Sequence, residues 1–119
     1  MDFSRVDRLQ SQIIKEIADI VANELRDEPP AMITFTRAEI SKDLKYAKIL
    51  FSVYGPEDKI EDCMSFLKRH GGVIRKMVGS RMRIRFTPEL LFQYDASTEN
   101  VLRVNEILEK LKRDEEQRS

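Results

Sequence analysis

The chain has no tryptophan, one cysteine and one histidine among its 119 residues. The single cysteine, Cys63, excludes an internal disulfide. It sits among apolar residues at helical spacing, so it reads as a small core residue rather than a nucleophile. With His70 alone, histidine-based metal clusters are excluded, and a Cys/His dyad would have to use Cys63. Neither a G-x-G-x-x-G nor a phosphate-loop pattern occurs. No apolar run approaches the roughly 18–20 residues that cross a bilayer. The N-terminus shows no basic segment followed by an apolar one, so no secretory signal is expected and the setting reads as cytoplasmic. Internal repeats and low-complexity tracts are also missing. These absences argue against an enzyme, a metalloprotein and a membrane protein.

What is present is a soluble-domain composition, 41% hydrophobic and 35% charged, with 21 basic and 21 acidic residues. That length supports one core and one domain, over 1–112, with a charged tail at 113–119 expected to be disordered. The neutral total hides an uneven distribution. Acids cluster at Glu57, Asp58, Glu61 and Asp62 and again at Asp114, Glu115 and Glu116. Between them, from Cys63 to Pro88, there is no acid at all. Within that window Lys68, Arg69, Arg75, Lys76, Arg81, Arg83 and Arg85 surround a glycine pair, Gly71-Gly72. A local basic patch on a neutral protein attracts phosphate without general stickiness.

Hydrophobic periodicity gives the elements. Val6, Leu9, Ile13, Ile17, Ile20 and Val21 recur at steps of three and four, which predicts a helix over 5–25, stopped by Pro29-Pro30. Residues 32–40 and 46–54 alternate as strands, and the short link at 41–44 makes them an antiparallel hairpin. Gly55-Pro56 opens the next helix, whose stripe is Ile60, Cys63, Met64 and Leu67. Continued in phase, the stripe reaches Gly71, Ile74 and Val78. This predicts one bent helix, or two short helices joined at the glycine pair, with Gly79-Ser80 as the end. Residues 82–86 then alternate, with Met82, Ile84 and Phe86 expected toward the core and Arg81, Arg83 and Arg85 on the other face. Pro88 reads as an edge or bulge, and Leu90, Phe92 and Tyr94 resume the alternation. Asp95 or Ser97 can cap a last helix over 98–112. The order α-β-β-α-α-β-α predicts a two-layer α+β domain with a three-stranded sheet, and its first six elements match the arrangement of the type II KH domain.

Phosphate binding is the chemistry this pattern supports best. Arginine forks match phosphate oxygens in a bidentate way. On one strand face, Arg81, Arg83 and Arg85 would stand roughly 6.5–7 Å apart, twice the strand rise. A solvated polar face is the competing reading, and the lack of any neutralising acid in the window weighs against it. RNA is favoured over duplex DNA, since no helix-turn-helix or zinc-finger spacing appears. The G-x-x-G loop that clamps RNA in most KH domains is absent. A protein-interaction module acting through the C-terminal helix is the alternative reading.

The residues RVDRLQSQIIKEIADIV, ISKDLKYAKI, GGVIRKMVGSRMRIRFTPELLFQYD and the closing VLRVNEILEKL together resemble the bacterial ribosome-binding factor A family, over residues 3 to about 111. The resemblance implies a KH-like fold in which a small-x-Gly kink between two helices replaces the G-x-x-G loop. Here that tripeptide is His70-Gly71-Gly72, with His70 where the family usually has alanine. It further implies binding to the free small (30S) ribosomal subunit, help with late maturation of 16S rRNA, and importance in the cold. No cofactor, nucleotide, metal or small-molecule substrate is implied, and a monomer is expected. The implied RNA surface comprises Lys68, Arg69, Arg75, Lys76, Arg81, Arg83 and Arg85, with Arg5, Arg8, Lys42 and Lys45 as further candidates. Thr87-Pro88-Glu89-Leu90 is expected to be a structural bulge, not a contact.

Overall fold

The computed structural model describes residues 2–96, so the expected helix at 98–112 and the tail lie outside the described residues. Within them the order is α1 (Asp2–Asn23), β1 (Met32–Ile40), β2 (Tyr46–Tyr54), α2 (Asp58–Met82) and β3 (Glu89–Tyr94). Both hairpin strands have the bounds that their alternation predicts. β2 is central in a sheet of order β1-β2-β3. It pairs antiparallel with β1, with Phe35 opposite Phe51, and parallel with β3, with Ala47 opposite Leu90.

One face of the sheet carries the core. Ile13, Ile17, Ile20 and Val21 of α1 meet Phe35, Ala38, Ala47, Ile49, Phe51 and Val53 of the sheet. Cys63, Phe66, Leu67, Ile74 and Val78 of α2 complete the cluster. Each large apolar side chain buried there contributes about 1.5–3 kcal/mol. Cys63 is fully buried, and burial pushes its thiol pKa up, as a core thiol's should be. The other sheet face carries the pairs Arg37–Glu39 at 3.5 Å and Lys48–Glu39 at 3.8 Å.

Three points are decided. First, of the two forms the stripe predicts for this segment, the single helix is present: α2 runs without a break through His70-Gly71-Gly72, and the two-helix alternative falls away. The apolar stripe stays in phase across the pair, so packing on the sheet carries the helix past two residues that cost roughly 1 kcal/mol each against alanine. Neither glycine has a positive φ.

Second, the helix does not stop at Gly79-Ser80. It ends at Met82, and Arg83 caps it in the left-handed region at φ 53°, ψ 36°. Gly79 has another purpose. A Cβ there would run into Thr87 Oγ1, so its bare Cα lets the returning chain lie against the helix.

Third, residues 82–86 are not a strand. The sheet edge beside β2 is taken by β3, which Glu89 opens by donating its N–H to the Lys45 carbonyl at 2.8 Å. The chain must therefore return from the end of α2 along 83–88, outside the ladder. The five-residue alternation was a coincidence of helix end and loop. Pro88 is buried just ahead of β3, and the bulge in the sheet lies instead in β1, between Phe35 and Arg37. The skipped residue, Thr36, donates its hydroxyl to Asp95 Oδ2 at 2.9 Å.

Candidate nucleic-acid interface

Helix α2 is two-sided. Its inner face is the buried stripe. Its outer face exposes Lys68, Arg69, Gly72, Val73, Arg75 and Lys76. Positions three and four apart are neighbours on a helix. Lys68 and Arg69 therefore stand one turn before Gly72, and Arg75 and Lys76 one turn after. The two cationic pairs are about 10 Å apart along the axis, seven residues of helical rise. A Cβ placed on Gly72 would meet nothing within 4 Å. The helix backbone is thus bare in the middle of a cationic row.

The returning segment 83–88 supplies the second wall. Arg75 donates from Nη2 and Nε to the Thr87 carbonyl at 2.8 and 3.2 Å, which ties this segment to the helix. Arg85 places its guanidinium carbon 5.6 Å from the centroid of the Phe86 ring. Together Gly72, Arg75, Lys76, Arg85, Phe86 and Thr87 line a hollow of about 320 Å³ that contains three cations and no acid.

A larger groove of about 730 Å³ continues from it toward the hairpin turn, and Lys45 and Arg85 both line it. Its walls include Leu9, Ile40, Leu44 and Ile84, and two acids, Asp43 and Glu89, lie along it. Asp43 is engaged within the turn. Its Oδ1 accepts from Ser41 Oγ at 2.6 Å and from the Lys45 N–H at 3.1 Å. The Ser41 hydroxyl first, and then that amide, hold its carboxyl below the usual range.

The remaining candidates are spread out. Lys42 is exposed in the turn, and Arg5 is exposed at the start of α1. Arg8 lines a separate hollow with Asp7, Gln12 and Lys15. Arg83 is exposed at the helix cap.

Arg81 departs furthest from expectation. It belongs to the last turn of α2, not to a strand, and three carboxylates hold it. Nη1 lies 2.6 Å from Asp19 Oδ2 and 3.1 Å from Glu16 Oε2, while Nη2 lies 3.2 Å from Glu24 Oε1. Asp19, then Glu16, raise its pKa further above the usual arginine range. The window around Arg81 holds no acid, but α1 brings acids to it. Arg81 is a clamp between the two helices.

His70 turns inward. Its ring centroid is 4.5 Å from that of Phe66, and Nε2 is 3.3 Å from Asp27 Oδ2 without hydrogen-bond alignment. With 15% of the side chain exposed, it packs between helix and chain rather than joining the outer cationic row.

Phe86 is the residue that reading the sequence missed. It was expected on the core face, yet it is 79% exposed. A signal was available. A strand closing at Thr87-Pro88 cannot continue its ladder there, so an arginine–phenylalanine pair just ahead of it belongs to a loop.

Fold and surface thus define a two-layer α+β domain of KH-like type that presents an acid-free cationic helix face. Comparison with known proteins makes this specific. A family model described as ribosome-binding factor A matches residues 5–108. The ribosome-binding factor A of Halothermothrix orenii is 42% identical over 116 residues, which is 98% of this chain and 95% of that protein. The chain belongs to the ribosome-binding factor A family. The crystal structure of the Thermus thermophilus member shares the fold, with a TM-score of 0.66 at 21% identity over 75% of this chain and 94% of that one. A homology model of the Thermus thermophilus factor, fitted into a cryo-electron microscopy map of its complex with the 30S subunit, aligns with a TM-score of 0.59. It is 22% identical over 71% of this chain and 88% of that one.

Proposed function

We propose that this protein binds the free small ribosomal subunit, assists late maturation of 16S rRNA and matters most at low temperature. In this reading it acts by binding and remodelling, not as an enzyme. It works in the cytoplasm as a monomer, from a single domain over 1–112, with no cofactor or small-molecule substrate. The observation that carries the reading is the acid-free cationic row on α2, bare of side chain at Gly72, in a chain of this family. A relative whose 30S complex has been imaged supports the choice of subunit.

The rRNA contacts fall to Lys68, Arg69, Lys76 and Arg85, with Arg75 partly committed to Thr87. Arg83, Lys45, Lys42, Arg5 and Arg8 extend the surface. Arg81 is left out, because its charge is answered by three carboxylates. The cold requirement follows if the factor lowers a barrier between rRNA conformers, since thermal escape from a misfolded pairing slows on cooling.

Sedimentation of lysate tests this. The protein should travel with free small subunits and leave them as salt rises, because neutralised phosphates regain their counterions. Cells lacking it should accumulate immature 16S rRNA, more so in the cold. A protein that stays at the top of the gradient at low salt would sink the reading.

A further inference from the structure

Phe86 is the most exposed of the large apolar side chains among the described residues, at 79%. The ring lines both the cationic hollow and the larger groove, with its apolar walls at Leu9, Leu44 and Ile84. Arg85 lies against the ring at 5.6 Å, and Arg75 and Lys76 stand across the hollow that Phe86 walls. Arg75 grips the Thr87 carbonyl with two N–H groups, so the segment that carries the ring is held to α2.

We propose that the Phe86 ring is a stacking platform for an unpaired nucleobase of RNA, with Arg85 and Lys76 taking the phosphates on either side. The inference deepens the ribosomal reading and rests on it. An aromatic face set among cations is the composition of surfaces that hold single strands. Only a base released from its helix offers an open face to such a ring, because paired bases are covered above and below. The bare backbone at Gly72 leaves room for the sugar-phosphate chain beside the ring. A peptide partner fits less well. Three cations with no lining acid would demand carboxylates, and a carboxylate has no use for the exposed phenyl face.

The test uses the chain's lack of tryptophan. Phe86→Trp installs a single indole at the proposed platform. Titration with a single-stranded oligoribonucleotide should quench its fluorescence, and a duplex of the same length should quench it far less. Phe86→Ala should lose about ten- to a hundred-fold in affinity for the oligonucleotide and for isolated small subunits. Phe86→Tyr should stay within a few-fold of the parent. Thermal unfolding of all three variants should match the parent, since the ring is largely in solvent.

An unquenched indole in a protein that still sediments with small subunits would overturn the proposal and leave the ribosomal reading standing. So would parental affinity in Phe86→Ala. Weakened subunit binding in Phe86→Ala with no quenching by RNA would assign the ring to a ribosomal protein and equally overturn it. Quenching by RNA in a protein that ignores subunits would keep the platform and remove the ribosomal reading.

Discussion

The two ends of the acid-free segment share a composition and differ in electrostatics. At its C-terminal end, Arg81 is neutralised by Glu16 and Asp19, which lie 65 and 62 residues earlier in the chain, and by Glu24. Around Gly72, the cations Lys68, Arg69 and Lys76 are exposed to solvent. The difference teaches that isolation of charge is a property of the fold, not of a sequence window. An arginine pointing toward a second helix becomes structural. The same residue a few positions earlier, exposed to solvent, stays available to a polyanion.

The largest expected effect separates these two regions directly. Replacing Arg69, Lys76 and Arg85 together by alanine should cost on the order of a hundred-fold in small-subunit affinity, at roughly 1 kcal/mol per charged contact. It should also flatten the salt dependence by about one unit of slope per lost contact, and leave the melting temperature alone. Arg81→Ala should do the reverse, lowering the melting temperature and sparing affinity. Binding isotherms at several salt concentrations, alongside thermal unfolding, measure both. Equal affinity loss in the two variants would erase the distinction.

Two glycines on α2 extend the comparison from side chains to backbone. Gly79→Ala brings a methyl against Thr87 Oγ1, and the threonine rotamer is stiff. Crowding of this kind costs about 1–3 kcal/mol, against a helix-propensity gain of roughly 1 kcal/mol. The variant should therefore be less stable, with segment 83–88 loosened and the Phe86 ring misplaced. Gly72→Ala meets open space and should be more stable by about 0.5–1 kcal/mol. If RNA lies close to that backbone, the same variant binds more weakly while folding better. Denaturant unfolding paired with subunit binding reads out both.

Much of this was legible in the sequence. Periodicity placed the two hairpin strands to the residue, although only β1 alternates in burial, and β2 is buried on both faces at Leu50 and Ser52. It also followed the α2 stripe through Gly71-Gly72. It failed at 82–86, where five alternating residues imitate a strand. A period-two pattern that short also arises where a helix ends and a loop begins. Only the occupied edge beside β2 decides between the two. The cationic row was legible as composition. The fate of Arg81 was not, since two of its partners, Glu16 and Asp19, come from a helix more than 60 residues earlier. The outward turn of Phe86 was hidden by the same strand assignment.

Arg83 sharpens the boundary between the two regions. It closes α2 in the left-handed conformation, which a non-glycine residue adopts at a cost of about 1 kcal/mol. Arg83→Gly should stabilise the domain by roughly 0.5 kcal/mol, after the extra chain entropy of glycine is deducted. Calorimetry measures this. Unchanged subunit affinity in the same variant would place Arg83 with Arg81 on the structural side. Weaker affinity would place it with Lys76.

The smallest effect concerns the clamp itself. The hydrogen bond from Arg81 first, and then that from Asn23, hold the Asp19 carboxyl below its ordinary pKa of 3.8. A carboxyl depressed in the folded state is more easily ionised there than in the unfolded chain. Its contribution is therefore complete above pH 3.8 and disappears as pH falls through that value toward the folded pKa. Asp43 behaves alike through Ser41 and the Lys45 amide. Thermal unfolding should show the parent more stable than Asp19→Asn near neutrality, with the two curves converging in acid. The gap should be small, because these groups are open to water and exposed pairs are weak and salt-screened. Added salt should narrow it further, whereas the same salt should weaken subunit binding steeply. A gap that ignored salt would mean that Asp19 acts through packing, and Arg81 would then lose its claim to be an electrostatic clamp.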